Sequence, residues 1–318
     1  MKKQILGSSS LEITKIGFGA WAIGGPGYAF GWGKQDDNDS IKAILKALDL
    51  GVNWIDTAAV YGTGRSEEIV SEALKQWHGE KPYIFTKCSL VWDENRNISN
   101  SYKPESIRNE CENSLRRLKV DAIDLYQMHW PPPDDNSLID AAWETMARLR
   151  EEGKVKWIGV SNFNLKQIEQ AEKIAPVTSL QPPYSMLHRD VEKEILPYCR
   201  KQNIGALAYS PMASGMLTGS MTLKRVNNFP DNDWRKGSPD FTEPELSRNL
   251  HIVEKLKAIG KKYDRNPGET AIAWVLTNPA VTGAIAGARN EKQVEGVYHA
   301  SEFELSIEDI KEIDEMTK

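Results

Sequence analysis

The sequence predicts an α/β fold, a (β/α)8 (TIM) barrel with an N-terminal β-hairpin and an extra C-terminal helix. Short apolar runs of strand length alternate with amphipathic stretches of helical period along almost the whole chain. Eight strand–helix units in 318 residues fit such a barrel, and a doubly wound sheet is the main alternative. No shift in composition marks a linker, so residues 1–318 are predicted to form one domain.

The predicted barrel strands follow a short N-terminal segment, 4–14, that is expected to form the hairpin. Each strand is a run of mostly apolar residues of the length that a buried strand needs. The eight runs are 15–18, 52–56, 83–86, 122–128, 157–160, 179–181, 204–209 and 283–286.

Between these strands, apolar residues recur every three or four positions, as on one face of an amphipathic helix. The predicted helices are 40–50, 66–77, 104–118, 138–152, 165–173, 192–201, 245–263 and 291–297. Asn164, with Gln167 three residues on, is a capping signal for one of them. Ser306, with Asp309 three residues on, begins the stretch 306–318, which is predicted to be the extra helix on the outside.

Charge and composition argue against several classes of protein. A net charge of −5, a pI of about 5.7 and the lack of a Lys/Arg block argue against nucleic-acid binding. No apolar run is long enough to span a bilayer, and the N-terminus is too short and polar for a signal peptide. Cys88, Cys111 and Cys199 are isolated, as is typical of a cytoplasmic protein without disulfides. The 5 histidines have no metal-ligand spacing, so no metal is expected. Monomer is the default expectation, because outer helices bury a barrel without a partner.

Four polar residues lie where predicted strands end. Asp56 closes the second strand, and Tyr61 follows it in the next loop. Lys87 comes directly after the third strand, and His129 comes directly after the fourth. Because the carboxyl ends of parallel barrel strands share one rim, the four side chains are expected to meet there. A phenol beside an ammonium, a carboxylate and an imidazole can donate a proton, and the cation is expected to lower the phenol pKa. Any one of them could merely mark the end of the core, but four in this order favour a catalytic site.

Five tryptophans lie in segments that follow a predicted strand and precede the next helix, on the same rim. They are Trp21, Trp32, Trp92, Trp130 and Trp234. A cluster of indoles at one mouth is typical of an apolar binding site, although each could also simply anchor its loop.

One motif is expected to be accidental. The segment 17–22, Gly-Phe-Gly-Ala-Trp-Ala, matches the dinucleotide pattern G-x-G-x-x-A after a strand. That pattern requires a helix immediately afterwards, and the segment 24–27, Gly-Gly-Pro-Gly, prevents one. A bound nucleotide would therefore use another part of the chain.

Seven collinear segments together resemble the signatures of the aldo-keto reductase superfamily, from about residue 6 to the C-terminus. They are 56–62 (DTAAVYG), 86–87 (TK), 128–130 (MHW), 158–163 (IGVSNF), 180–184 (LQPPY), 209–215 (YSPMASG) and 285–289 (IAGAR). The resemblance is closest to bacterial general stress reductases and inositol-type dehydrogenases, and looser to the β subunits of voltage-gated potassium channels.

The resemblance implies a barrel that binds NADP(H) in an extended form. Tyr61 would protonate the carbonyl oxygen of a small-molecule substrate as hydride arrives. Lys87, paired with Asp56, would lower the phenol pKa, and His129 would orient the carbonyl. The substrate pocket is expected to consist of Tyr61 and His129 with Trp21, Trp92 and Trp130, and the apolar wall of the tryptophans would favour aromatic or medium-chain carbonyls.

The same resemblance assigns the cofactor-binding residues, which also include Trp21 and Asp56. The carboxamide of the nicotinamide would be held by Ser161, Asn162 and Gln181, and Tyr209 would stack on its ring. The pyrophosphate would contact backbone amides of the segment from Ser210 to Gly215, which includes Pro211, Met212 and Ala213, with Leu217 alongside. The adenosine 2′-phosphate would be held by Gly287, Arg289 and Gln293.

Two features depart from or extend this pattern. Gly296 and Val297 occupy the positions where the family often has a Glu-Asn pair that contacts the adenine, so the recognition of adenine stays open. Arg235, in the long segment after the seventh strand, is expected either to bind a phosphate or to be a solvated surface arginine.

Three functions remain compatible with these residues. The leading one is NADPH-dependent reduction of aldehydes and ketones. The second is the oxidation of a polyol or sugar, because hydride transfer is reversible. The third is a nicotinamide-binding regulatory subunit with residual catalysis, against which stands the intact set of four polar residues.

Overall fold

The computed structural model describes residues 1–27, 31, 33–133, 135–231 and 233–317. The chain begins with an antiparallel hairpin of β1 (Lys3–Ile5) and β2 (Glu12–Thr14). Within the described residues, eight parallel strands then close into a barrel, in which the last strand pairs with the first. These strands are β3 (Ile16–Gly19), β4 (Trp54–Asp56), β5 (Tyr83–Cys88), β8 (Ile123–Met128), β9 (Val155–Ser161), β10 (Ser179–Gln181), β11 (Gly205–Ala208) and β12 (Val281–Gly287). The predicted (β/α)8 barrel is confirmed.

Helices surround the barrel and pack their apolar faces on it. They are α1 (Asp37–Asp49), α2 (Arg65–Gln76), α3 (Pro104–Leu118), α4 (Leu138–Glu151), α5 (Leu165–Glu172), α6 (Ile195–Gln202), α7 (Leu223–Asn227), α8 (Glu245–Lys261), α9 (Pro267–Thr277), α10 (Glu291–Glu295) and α11 (Ile307–Met316). The capping signals act as predicted: Asn164 and Gln167 form a reciprocal capping box, and the Ser306 side chain accepts from the N–H of Asp309. None of the helices in the described ranges is both long and apolar enough to cross a bilayer.

Three elements were not predicted. Helix α9 is buried at every residue from 267 to 275, so it lacks the polar face by which amphipathic helices are recognised. A second antiparallel hairpin, β6 (Leu90–Trp92) and β7 (Ile98–Asn100), lies between β5 and α3, and its strands are too short for a clear alternation. Helix α7 has only 5 residues.

The barrel interior is filled at one end by large apolar side chains. Trp54 packs against Phe85 in a tilted arrangement with ring centroids 5.1 Å apart, and its indole N–H donates to the carbonyl of Thr14 at 2.9 Å. A Cβ on Gly17 would come within 2.1 Å of the Trp54 ring. Gly17 is therefore required for core packing. The segment after β3 is a short 3₁₀ turn, Trp21–Ile23, as expected for an accidental dinucleotide motif.

Candidate active site

Along the barrel strands, the side chains that face the interior change from apolar to polar between one inward-facing position and the next. Successive residues of a strand point to opposite faces, so residues two apart share a face. Trp54 and Phe85 fill the core, and two positions later Asp56 and Lys87 occupy the carboxyl-end rim. Four residues beyond Leu125, His129 comes directly after β8 on the same rim. The strand register therefore sets the positions of the polar groups.

The structure brings the four predicted polar residues together. The ammonium of Lys87 donates to Oδ1 of Asp56 at 2.5 Å and to the carbonyl oxygen of Thr57 at 2.8 Å. The same ammonium lies 3.4 Å from the Tyr61 hydroxyl, and Nε2 of His129 lies 3.5 Å from it. Asp56, Lys87 and His129 are buried, at 3%, 1% and 9% exposure. One phenol oxygen thus lies within reach of both a cation and an imidazole.

Two glutamines hold the carboxylate that pairs with the lysine. Gln181 donates to Oδ2 of Asp56 at 2.8 Å, and Gln127 donates to the same oxygen at 3.3 Å. The two amides also contact each other, because Gln181 Nε2 lies 3.3 Å from Gln127 Oε1. Gln127 was missed at the sequence level. The alternation Leu125, Gln127, His129 would have indicated an inward-facing polar side chain.

The expected direction of the tyrosine pKa is wrong. Burial, reinforced by the negative charge of Asp56, raises the pKa of Tyr61 well above its ordinary value. Burial also lowers the pKa of Lys87, against the opposing effect of Asp56. Burial and the Lys87 charge hold the pKa of His129 well below its usual range, so its imidazole is neutral at neutral pH. Tyr61 is therefore a protonated phenol next to a neutral imidazole.

The residues assigned to the nicotinamide carboxamide form a connected chain beside these groups. The Asn162 amide donates to the carbonyl oxygen of His129 and to the Ser161 hydroxyl, both at 3.0 Å. The Tyr209 hydroxyl donates to Oδ1 of Asn162 at 2.8 Å. Asn162 has a left-handed backbone, φ +63°, which is uncommon for a residue other than glycine. Such strain is concentrated at functional sites. Gln181, assigned to the same carboxamide, donates instead to Asp56 and Gln127.

The segment after β11 has an unusual backbone. Ser210, Ala213, Ser214 and Gly215 all have positive φ, from +46° to +92°. Successive left-handed residues form a concave backbone of the kind that binds anions. Of the other predicted contacts here, Pro211 is buried and the carbonyl of Met212 accepts from the N–H of Gly215. The Leu217 side chain is fully buried in the core.

Arg235 is not a solvated arginine, which corrects one of the two alternatives. It is 8% exposed and forms a two-pronged ion pair with Asp233, at 3.0 and 2.7 Å. Its Nη1 also donates to the carbonyl of Ser214 at 3.2 Å. The guanidinium lies over the Phe229 ring at 4.5 Å. These contacts place Arg235 next to the concave segment, where a phosphate is expected.

Arg289 lies near Arg235 and is held by the segment after β3. Its Nε donates to Oε1 of Gln35 at 2.6 Å, and its Nη2 donates to the carbonyl of Lys34. The Gln35 amide in turn donates to the carbonyl of Arg289 at 2.8 Å. Burial, together with the charge of Arg235, lowers the pKa of Arg289. Gln293 accepts from the N–H of Arg289 at 2.8 Å. Sequence reasoning missed Gln35, because no local pattern links positions 254 apart.

The remaining residues of the predicted phosphate and adenine sites have structural roles. Gly287 is the exposed last residue of β12, opposite Gly19 of β3. Gly296 caps α10, and its carbonyl accepts from the side chain of Asn266 at 2.7 Å. The Val297 side chain is buried in the core.

The five tryptophans predicted for the rim do not form one cluster in the described residues. Trp21 stacks on Trp234 with ring centroids 5.9 Å apart and lies 6.5 Å from the Tyr61 ring. The Trp234 indole N–H is buried and has no acceptor among the described residues. Trp130 is 46% exposed at the mouth. Trp92 contacts helix α3, where the guanidinium of Arg117 lies 5.9 Å from the centre of the Trp92 ring. Trp32 lies outside the described residues.

An open cavity of about 980 Å³ lies at this mouth. It is lined by Trp130 and Asn162 next to His129, and by Leu90 and Ile98 of the β6–β7 hairpin. Leu90 and Ile98 belong to the small apolar cluster that also contains Tyr61. The described lining includes none of the four polar residues, but it contains neighbours of His129 and Tyr61, so the cavity is the space through which a substrate would approach these two groups.

The Aldo/keto reductase family model matches residues 15–318. The chain belongs to the aldo/keto reductase family. It is 37% identical to the aldo-keto reductase YhdN of Bacillus subtilis (strain 168), over 98% of this chain and 92% of that protein. It is 33% identical to the NADH-specific methylglyoxal reductase of Escherichia coli (strain K12), over 100% of this chain and 99% of that protein.

Among solved structures, the glycerol dehydrogenase AKR11B4 from Gluconobacter oxydans is 36% identical, with a TM-score of 0.89 over 99% of this chain and 94% of that chain. Aldo/keto reductases use a nicotinamide cofactor. The names of two of these relatives state different substrates, methylglyoxal and glycerol, and one name states a nucleotide, NADH.

Proposed function

We propose that the protein is an NADPH-dependent carbonyl reductase that converts aldehydes and ketones to alcohols, with Tyr61 as the general acid. The observation that supports this most is the position of one phenol oxygen, 3.4 Å from Lys87 Nζ and 3.5 Å from His129 Nε2. These three groups line the rim of a family barrel beside an open cavity.

The described residues fit a dinucleotide on two observations. The left-handed turn at Ala213, Ser214 and Gly215 suits a pyrophosphate, because anions bind at concave turns of the backbone. The Arg289 guanidinium lies nearby, next to the ion pair of Arg235 with Asp233, and its positive charge suits a further phosphate. When bound, the reduced nicotinamide supplies the hydride that goes to the carbonyl carbon.

Residues of the protein itself carry out the proton transfer. Tyr61, whose pKa is raised, stays protonated and donates to the oxygen that becomes alkoxide, a much stronger base than a phenolate. The phenolate that is left behind lies beside the Lys87 ammonium, so the lysine stabilises the charge that develops during the reaction. His129, being neutral, orients the carbonyl by a hydrogen bond without adding charge.

The same pKa directions favour reduction over oxidation near neutral pH. Oxidation of an alcohol needs Tyr61 as a phenolate base, and a raised pKa makes that form scarce. The second candidate function, oxidation of a polyol, is favoured by the glycerol dehydrogenase among the similar structures. In that case the oxidation rate should rise with pH.

Initial rates with NADPH and NADH, across aldehydes, ketones and polyols at pH 6 to 10, test this proposal. We expect turnover of several aldehydes with NADPH at neutral pH. Faster oxidation of polyols than reduction of any carbonyl at pH 7 would reverse the direction. Tight binding of NADPH with no turnover would favour a regulatory subunit.

A further inference from the structure

The described lining of the cavity at the barrel mouth contains one charged residue among uncharged ones. Within the described lining, Arg96 is the charged residue, and the others are glycines, prolines, amides and apolar side chains. Arg96 lies in the turn that connects β6 and β7, the hairpin that packs against Tyr61 through Leu90 and Ile98. A cation therefore lies in the wall of this cavity, on the hairpin that shares an apolar cluster with Tyr61.

Most of the amides around the cavity already have partners within the protein. The Asn97 amide donates to the Asp93 carboxylate at 2.8 Å, and the Asn100 amide donates to the Tyr102 hydroxyl at 2.8 Å. The capping box at the start of α5 engages the side chains of Asn164 and Gln167. The Asn162 amide donates to the His129 carbonyl and the Ser161 hydroxyl. These groups maintain the shape of the mouth. They have less hydrogen-bonding capacity left for a ligand than the guanidinium has.

The hairpin turn fixes the position of Arg96. The Asp93 carboxylate accepts from the N–H groups of Asn95 and Asn97, each at 2.8 Å, and the Asp93 carbonyl accepts from the N–H of Arg96 at 2.9 Å. Arg96 has φ +63°, a left-handed conformation that is strained for a residue other than glycine. The turn therefore holds Arg96 in a strained backbone conformation.

The guanidinium reaches across the mouth to the opposite loop. Its Nη1 donates to the carbonyl of Gly27 at 3.3 Å, and a Cβ on Gly27 would come within 2.8 Å of that nitrogen. Across the described ranges, Arg96 forms no ion pair with a carboxylate. The Asp93 carboxylate, the nearest in sequence, is instead engaged by the amides of the turn, which lower its pKa.

We infer that Arg96 binds an anionic group, a carboxylate or a phosphate, at the far end of the carbonyl substrate. An arginine fork recognises such groups by two parallel hydrogen bonds. The inference rests on the proposed reductase function and specifies its substrate class. It adds a charged group to the expected apolar wall, because Arg96 lines the same cavity as Trp130.

Matched substrate pairs test this directly. We would measure kcat and KM with NADPH for 4-oxobutanoate against butanal, for 5-oxopentanoate against pentanal, and for glyceraldehyde 3-phosphate against glyceraldehyde. The wild type should prefer the anionic member of at least one pair. The pair that shows the preference distinguishes a carboxylate from a phosphate and indicates the distance from Tyr61 to Arg96.

In Arg96→Gln, KM for the preferred anionic substrate should rise about 10-fold, the effect of one hydrogen bond to a charged group. The kcat and the constants of the neutral partner should change little, because the arginine does not touch the reacting atoms. Arg96→Lys should retain part of the preference, and added salt should reduce it in the wild type.

Arg108, which pairs with Glu152 on the outer helices, provides the matched control. Arg108→Gln should leave the ratio of the two substrates unchanged. An equal loss in Arg108→Gln, an unchanged ratio in Arg96→Gln, or a wild-type preference for every neutral partner would overturn the role of Arg96 and leave the reductase function standing. Failure of the wild type to reduce any of these carbonyls would overturn both.

Discussion

The candidate site has a catalytic end, with the four polar residues, and a proposed phosphate end, with Arg235 and Arg289. The two ends are assembled in different ways. At the catalytic end, Asp56 and Lys87 come from neighbouring barrel strands, and strand register brings them within 2.5 Å of each other. At the phosphate end, Arg289 is held by Gln35, a loop residue 254 positions away. Strand register is difficult to alter without unfolding the barrel, whereas loop contacts are easily exchanged. The comparison predicts that the chemistry is rigidly determined and that the nucleotide preference is adjustable.

The largest effect should follow from removing the proton donor. Tyr61→Phe should reduce carbonyl reduction by about 10²- to 10⁴-fold, the usual contribution of a positioned general acid. NADPH affinity should hardly change, because the hydroxyl serves the substrate. Tyr198→Phe removes a phenol that donates to Glu172 and serves as the control. Near-normal turnover by Tyr61→Phe would show that another group donates the proton.

Lys87→Met tests how the catalytic end supports its phenolate. Reductase activity should fall strongly, because the charge left on Tyr61 loses its cation. The lowered pKa of Lys87 gives the wild type an alkaline limb: as pH rises through that pKa, the ammonium and the activity are lost together. The raised pKa of Tyr61 places loss of the phenol proton at a higher pH.

In the pH–rate profile of Lys87→Met, the alkaline limb should therefore move to higher pH. Lys156→Met, which breaks a pair with Asp124 on the outside of the barrel, should leave the profile unchanged. A wild-type profile in Lys87→Met would exclude the lysine from the reaction.

Arg289→Ala tests the phosphate end. NADPH binding should weaken by about 1.5–3 kcal/mol, the range for hydrogen bonds to charged groups. NADH lacks the 2′-phosphate, so its affinity should hardly change. Fluorescence titration of both nucleotides measures the difference, with Arg108→Ala as the control. Equal losses for the two nucleotides would indicate that Arg289 supports the fold or the adenine, and Arg235 would be the next candidate.

Gln35→Ala should give the smallest effect. It removes the acceptor of Arg289 Nε and the donor to the Arg289 carbonyl, so the guanidinium should lose its orientation while keeping its charge. NADPH binding should weaken by about 0.5–1.5 kcal/mol, the range for an ordinary hydrogen bond. Gln170→Ala removes a surface amide that contacts Asp140 and serves as the control. If NADPH affinity is unchanged, Arg289 is held by other contacts.

The catalytic end could be predicted almost completely, because each residue ends an apolar run whose period shows which face it occupies. The direction in which the pKa of Tyr61 shifts could not be predicted. It depends on whether burial and the Asp56 charge, which raise the pKa, outweigh the charge of Lys87, which lowers it. The phosphate end was predictable only through the family resemblance. Gln35 has no local signal, and the ion pair between Arg235 and Asp233 depends on a loop fold that periodicity does not describe.

The fold shows the same contrast. The barrel strands were found because their apolar runs are distinct, whereas α9 was missed because a helix buried on all sides has no amphipathic period. The β6–β7 hairpin was missed because its two strands have only 3 residues each. That omission concealed the turn that carries Arg96.

The segment between β3 and α1 contacts both ligand regions, since Gly27 accepts from Arg96 at the mouth and Gln35 holds Arg289. For protein engineering, this means that coenzyme preference and substrate scope are not independent traits. A library that exchanges residues 33–35 to accept NADH should also yield variants with altered Michaelis constants for the carbonyl. Selection for one coenzyme would then change the range of substrates, even without a substitution in the cavity itself.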